Sequence, residues 1–182
     1  DQLVSDKRFP VPTLLIGSPT NPASASPNVY QLGMAPEQDG VQLARRAYAA
    51  GHRRALIIFA ASDWGRRVST ATSNDWARLG GKIVAQTAVP VTSDHFTHAI
   101  RRLFHLDHSA ARAAALKKVL THRLPFKAIP RRRQDVDVIF LFCSRPQAQV
   151  INPQIDFLYG HDLPVFSTSH LYHGTQDRLI DL

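Results

Sequence analysis

The chain predicts a doubly wound α/β fold: a mainly parallel sheet with helices on both faces. Three observations carry that reading. Two runs, RALIIFA at 54–60 and VDVIFLF at 136–142, are almost continuously apolar, as strands covered on both sides must be. Stretches with apolar residues at helical spacing stand between such runs. Glycine and proline fall at the joints, at Gly51, Gly80–Gly81, Pro146 and Gly160, where helices stop or start.

The elements follow in order. VPTLLIG at 11–17 is a short strand, and the loop SPTNPASASPN after it is rich in Pro, Ser and Asn. Val29 to Gly33 is a brief extended piece. A helix then starts with Pro36, Glu37 and Asp39 at its front, where carboxylates suit the helix dipole. It places Val41, Ala44, Ala47 and Tyr48 on one face. After the strand at 54–60 comes a helix from Trp64 to Leu79, with Val68, Thr72, Trp76 and Leu79 inward. Lys82 to Val89 alternates as the next strand. Ser93 or Asp94 caps a helix carrying Phe96, Ile100, Leu103 and Phe104, and Ala110 to Leu120 is a second helix. Pro125 and Pro130 exclude regular helix over 124–134. The strand 136–142 precedes a helix from Pro146 to Tyr159, and LPVFSTS holds the last strand. A right-handed, doubly wound connection orders the strands 82–89, 54–60, 136–142, 164–168, with 12–17 outside this sheet.

Composition narrows the function. The 182 residues are 44% apolar and 20% charged, so the chain can build a core. Its longest apolar run, Ala55–Ala61, has seven residues, far short of the ~18 a membrane helix needs. The lone Cys143 excludes an internal disulfide framework and paired-cysteine zinc sites. The chain opens at Asp1 without Met, which reads as a piece of something longer. Net charge is +8, an excess that favours an acidic partner. Most basic residues occur in dispersed pairs and only Arg131–Arg132–Arg133 forms a run, a pattern of solvated surface that does not predict nucleic-acid binding.

Ligands of open α/β sheets sit at the carboxyl ends of the strands. Those ends are Ser62–Asp63–Trp64, Val91–Thr92, Cys143–Ser144–Arg145 and Ser167–Thr168–Ser169. Ser62, Asp63, Trp64, Ser144, Arg145, Ser167 and Thr168 are therefore candidate cleft residues, although polar turn residues end strands in any such protein. No glycine-rich phosphate cradle and no GxSxG motif is present, so no cofactor is expected. Cys143 at a strand end is better read as a small buried hydrophobe than as a nucleophile. His95/His98 and His105/His108 have helical i, i+3 spacing but no recognisable third ligand, so no metal is expected. Asp135 and Asp137 stand at the amino end of a strand, the wrong end for the cleft, and read as edge or loop contacts, with the Arg131–Arg133 run as one candidate partner.

The turn SDWGRR at 62–67 resembles the first helix start in lobe two of type I periplasmic binding proteins. PRRRQDVDVIFLF at 130–142 and RPQAQVINPQIDFLYGHDLPVFSTSHLYHG at 145–174 resemble the LppC or LpoA family of envelope lipoproteins. VPTLLIGSPTNP and VYQLGMAPE fit that family less distinctively. The resemblance implies a type I periplasmic-binding-protein-like domain, mostly its lobe two. It divides the chain into 1–33, the tail of lobe one and the crossover, 34–170, lobe two, and 171–182, a return segment. It further implies a non-enzymatic regulator at the periplasmic side of the Gram-negative outer membrane, held there by a lipid anchor outside this chain. The implied partner is a class A penicillin-binding protein, whose peptidoglycan synthesis the regulator activates by direct contact. A solute-binding lobe recognising an amino acid or other small ligand is the alternative. The resemblance transfers no contact residue; Arg131, Arg132 and Arg133 are the candidate partner surface on charge density alone.

Overall fold

The computed structural model describes residues 11–16, 28–32, 35–90, 96–120 and 129–171. Two sheets are formed. Strands β1 (Thr13–Ile16) and β2 (Val29–Leu32) pair in parallel as a two-stranded sheet. The main sheet contains β3 (Arg54–Ala60), β4 (Lys82–Val89), β5 (Val138–Phe142) and β6 (Val165–Ser167), all parallel, in the order β4-β3-β5-β6. This is the order expected from the sequence, and Thr13–Ile16, the described strand of the 12–17 run, belongs to the other sheet.

The alternation of β3 and β5 divides the core. Leu56 and Ile58 of β3, with Ile139 and Leu141 of β5, face Ile100 of α3 (Thr97–Leu103) and Ile151 and Ile155 of α5 (Arg145–Ile155). Phe96 and Phe104, which flank α3, fill the same layer. Ala55, Ile57, Val138, Phe140 and Phe142 face the other way, onto Ala44 and Ala47 of α1 (Pro36–Ala49) and Val68 and Trp76 of α2 (Asp63–Arg78). All five residues of β5 are buried, and each large side chain so placed contributes about 1.5–3 kcal/mol. Trp76 meets Phe140 edge-on at 5.3 Å between ring centroids, a favoured aromatic geometry.

The helix joints follow the sequence. Gly51 and Gly80 have φ of 98° and 91°, values open to glycine without steric cost. Ser62 caps α2 by accepting from the Gly65 N–H at 3.1 Å. α1 and α2 pack closely because Gly40 lies against Val68 and Thr72.

Three departures from expectation have local causes. The helix expected over Pro146–Tyr159 ends at Ile155 and gives way to a wide turn, Asp156–Gly160. Leu158 leaves helical geometry and Tyr159 takes φ 69°. The turn buries Leu158 in the core and packs Gly160 against Ile155 and Phe104, leaving no room for a helical continuation. The second helix before the proline-containing segment, α4 (Leu106–Leu120), starts four residues before Ala110 because Leu106 is drawn into the core. Finally, α3 begins at Thr97 with Phe96 at its cap position, while Ser93 and Asp94 lie outside the described residues.

Candidate functional site

At the carboxyl end of the main sheet the predicted residues serve mostly as caps and ties. Ser144 capitalises on Gln147: its backbone N–H and its hydroxyl both donate to Gln147 Oε1 at 3.0 Å. Gln147 Nε2 in turn donates to the Pro90 carbonyl at 3.0 Å, joining the start of α5 to the end of β4. Val91 and Thr92 lie outside the described residues. Ser167 Oγ donates to the Leu141 carbonyl at 2.6 Å, tying β6 to β5. Thr168 is buried, and Arg145 is half-buried in the first turn of α5.

Asp63 is exposed and accepts from Arg66 Nη2 at 3.0 Å. Trp64, half-buried, faces His170 with 4.9 Å between ring centroids. His170 comes from a short 3-10 turn, Ser169–Leu171. Ser169 Oγ donates to Asp39 Oδ2 at 3.1 Å, which draws this turn to the front of α1. The sequence reading missed His170 and Asp39, since only the return of the chain after β6 brings them to Trp64 and Ser169. The structure therefore brings Trp64 together with the segment after β6, whereas the three serines are each engaged by neighbouring fold groups.

Beside this rim, α1 and α2 enclose an open pocket of about 460 Å³, lined by Glu37, Asp63, Arg66, Arg67, Thr70 and Asn74 among others. Its charges are internally matched, Glu37 with Arg67 and Asp63 with Arg66. Burial raises the pKa of Glu37, but the Arg67 hydrogen bond, a backbone hydrogen bond and the Arg67 charge together hold its carboxyl below the ordinary value.

The basic run is not a uniform stripe. Arg131 is exposed, and its backbone N–H donates to Ser109 Oγ at 3.1 Å. Arg132 is buried and grips the carboxylate of Asp162 with Nε and Nη2. Arg133 makes a two-point contact to Asp135 at 2.7 and 2.8 Å. Asp137 does not join the run. It accepts the backbone N–H groups of Arg53 at 3.1 Å and Arg54 at 3.0 Å, pinning the start of β3 to that of β5.

The remaining chemical candidates are structural in setting. Cys143 is buried and burial pushes its thiol pKa up to about 12, so the nucleophilic thiolate is scarce at neutral pH. His105 and His108 lie 5.3 Å apart, with Arg133 Nη1 at 3.3 Å from His105 Nε2. A guanidinium beside these rings opposes a bound cation. His95 lies outside the described residues.

The sequence profile of the family described as "LppC putative lipoprotein" matches residues 1–180. The chain belongs to this family. A curated relative from Vibrio antiquarius, named penicillin-binding protein activator LpoA, is 25% identical over 167 residues, 90% of this chain and 27% of the relative. The chain thus spans about a quarter of the length of the curated relatives it matches. Among solved structures, the LpoA C-domain from Haemophilus influenzae, described as a regulator of PBP1A, superposes with a TM-score of 0.55 at 15% identity, covering 88% of this chain and 40% of that one. An ABC-transporter substrate-binding protein from Sphaerobacter thermophilus superposes with a TM-score of 0.59 at 20% identity, covering 82% and 34%. At these identities the superpositions establish the fold: periplasmic-binding-protein-like, as the LppC-family resemblance implied.

Proposed function

We propose that this chain is part of an LppC-family envelope lipoprotein that activates a class A penicillin-binding protein by direct contact and performs no chemistry itself. The family match across residues 1–180, together with relatives named as penicillin-binding protein activators that align over about 90% of the chain, carries this reading. The setting of the candidate groups supports it. The serines at the strand ends cap and tie the fold, and the Cys143 thiol is buried and hard to ionise. In this reading residues 1–33 are the tail of lobe one and the crossover, 34–170 are lobe two, and 171–182 return toward lobe one. The protein acts at the periplasmic side of the outer membrane, attached by a lipid outside this chain.

The test is reconstitution. The full-length protein is added to its purified cognate synthase, and glycan polymerisation from lipid-linked precursor is followed. A rise in rate with saturable dependence on the activator is expected; an unchanged rate at saturating protein overturns the proposal. One observation favours a solute-binding reading: Trp64 and His170 stand together at the ligand-binding end of the sheet. A solute bound there raises the melting temperature by mass action, so a screen of amino acids and aromatic acids by thermal shift distinguishes the two.

A further inference from the structure

Two sequence motifs that neither the core nor the strand-end rim uses come together in space: the His105/His108 pair and the Arg131–Arg133 run. They meet at the corner between α3 and α4. His105 turns that corner with φ 58°, a left-handed conformation uncommon outside glycine. Backbone groups hold the arginine segment against it. The Arg133 N–H donates to the Phe104 carbonyl at 2.9 Å, and the Arg131 N–H reaches Ser109 Oγ of α4.

Arg133 is the fixed centre of this cluster. Its side chain is only 10% exposed, and Asp135 engages Nε and Nη2. Nη1 remains, and it stands 3.3 Å from His105 Nε2. The His108 ring lies 5.3 Å from that of His105. Arg112 follows one turn later on the same face of α4, and its charge also acts on His105. His108 and Arg112 have no carboxylate partner among the described residues. Asp107 is engaged by Arg101 of α3 at 2.9 and 3.1 Å, while Arg102 and Arg131 add exposed positive charge nearby.

The arrangement changes character with one proton. Neutral His105 can accept at Nε2 from the Arg133 Nη1 donor; protonated, it has only donors, and two N–H groups face each other. Burial and the charges of Arg133, His108 and Arg112 accordingly lower the His105 pKa from 6.5, with Asp135 opposing. With both rings neutral, Arg112 and Arg133 outweigh Asp135 by one charge; with both protonated, by three. An oxyanion placed between these donors accepts from all of them and removes the repulsion.

We propose that the α3–α4 corner is a binding site for a phosphate-type oxyanion, held by Arg133 Nη1, His105, His108 and Arg112, and that acid strengthens the binding. The start of α4 adds the positive end of a helix dipole to the same spot. The phosphate can belong to a lipid headgroup or to a soluble ester, since both present the same oxygens. The site does not depend on the activator reading.

The test is calorimetric titration of the full-length protein with sulfate at constant ionic strength. Sulfate stays a dianion over the range in which phosphate esters titrate, near pH 6, so any pH dependence belongs to the protein. Binding about tenfold tighter at pH about 5.5 than at pH about 8 is expected, with proton uptake revealed by buffers of different ionisation enthalpy. His105→Asn, which tolerates the left-handed turn, is expected to remove most of the uptake and flatten the pH dependence. Arg112→Gln is expected to weaken binding severalfold at both pH values, and Arg46→Gln, on α1, to change nothing. Absence of saturable binding at the lower pH overturns the site, and so does binding that neither His105→Asn nor Arg112→Gln alters. Glycerol phosphate and phosphatidylglycerol vesicles, set against phosphatidylcholine vesicles, then identify the source. Binding of the soluble ester alone assigns a free phosphate, and binding of the vesicles alone assigns a lipid. Sulfate binding with neither overturns the phosphate assignment and leaves an adventitious ion only.

Discussion

Arg132 and Asp162 form a two-point ion pair across thirty residues of sequence, with the arginine side chain 7% exposed and the carboxylate 55% exposed. The same guanidinium donates to the Arg133 carbonyl at 2.8 Å. It therefore fastens the segment before β5 to the turn before β6. Arg132→Gln is expected to destabilise the domain by about 1–3 kcal/mol, since it strands groups that fold around a buried charge. Arg131→Gln, at an exposed neighbour, is expected to stay within about 0.5 kcal/mol. Urea denaturation of the two variants checks the contrast, and equal effects would contradict it.

Asp135 sets an acid limit. The hydrogen bond from Arg133, with the charge of that arginine, lowers its pKa from 3.8 to about 2 despite the opposing effect of burial. A depressed carboxylate contributes stability that is complete above the unfolded value and fades as pH falls toward the folded one. The expected loss thus lies between pH about 4 and about 2, and because the side chain is 53% exposed solvent screening keeps it below ~1 kcal/mol. Asp135→Asn should remove that part of the pH dependence, as read from stability measured across the acid limb.

Gly65 marks a contact with no slack. A Cβ at this position would stand 2.2 Å from the carbonyl oxygen of Ala60, a backbone atom that cannot swing aside. Gly65→Ala is expected to cost about 2–4 kcal/mol through displacement of α2 from β3. Thermal unfolding would show it, and a melting temperature equal to wild type would refute the close approach.

Cys143 should resist thiol reagents in the folded protein. Its burial and a pKa pushed up to about 12 leave little thiolate. Iodoacetamide labelling is expected only after denaturation, and rapid stoichiometric labelling of native protein would contradict the assigned environment.

Much of this architecture is legible because local and global signals agree. The strands at 54–60 and 138–142 announce themselves by apolar runs that only a doubly covered sheet can bury. The inward faces of α1 and α2 follow from spacing alone, and Ala44, Ala47, Val68, Thr72 and Trp76 are indeed buried. Other features depend on contacts distant in sequence, which periodicity does not encode. Asp137 reads as an edge or loop contact, but the sequence does not name its partners, which are backbone groups more than eighty residues earlier. Arg132 looks exposed in a proline-bounded loop, yet Asp162 and the core beneath it keep it buried. The Asp156–Gly160 turn was hidden because Leu158 fits a helical pattern as well as it fits the turn. His170 reaches Trp64 only because the chain folds back after β6, and neither residue carries a local mark of the other.

The uninterrupted burial of β5 has a consequence for how the domain breathes. Ile139 and Leu141 belong to one core, and Val138, Phe140 and Phe142 to the other. Neither layer of helices can lift away without wetting a strand that the opposite layer also needs, so the two cores are committed to opening together. The amide hydrogens of β3 and β5 are then released to solvent deuterium only when the whole domain unfolds. Those in the middle of α4, whose residues from Ala110 to Lys118 are almost all exposed, escape through small local openings long before.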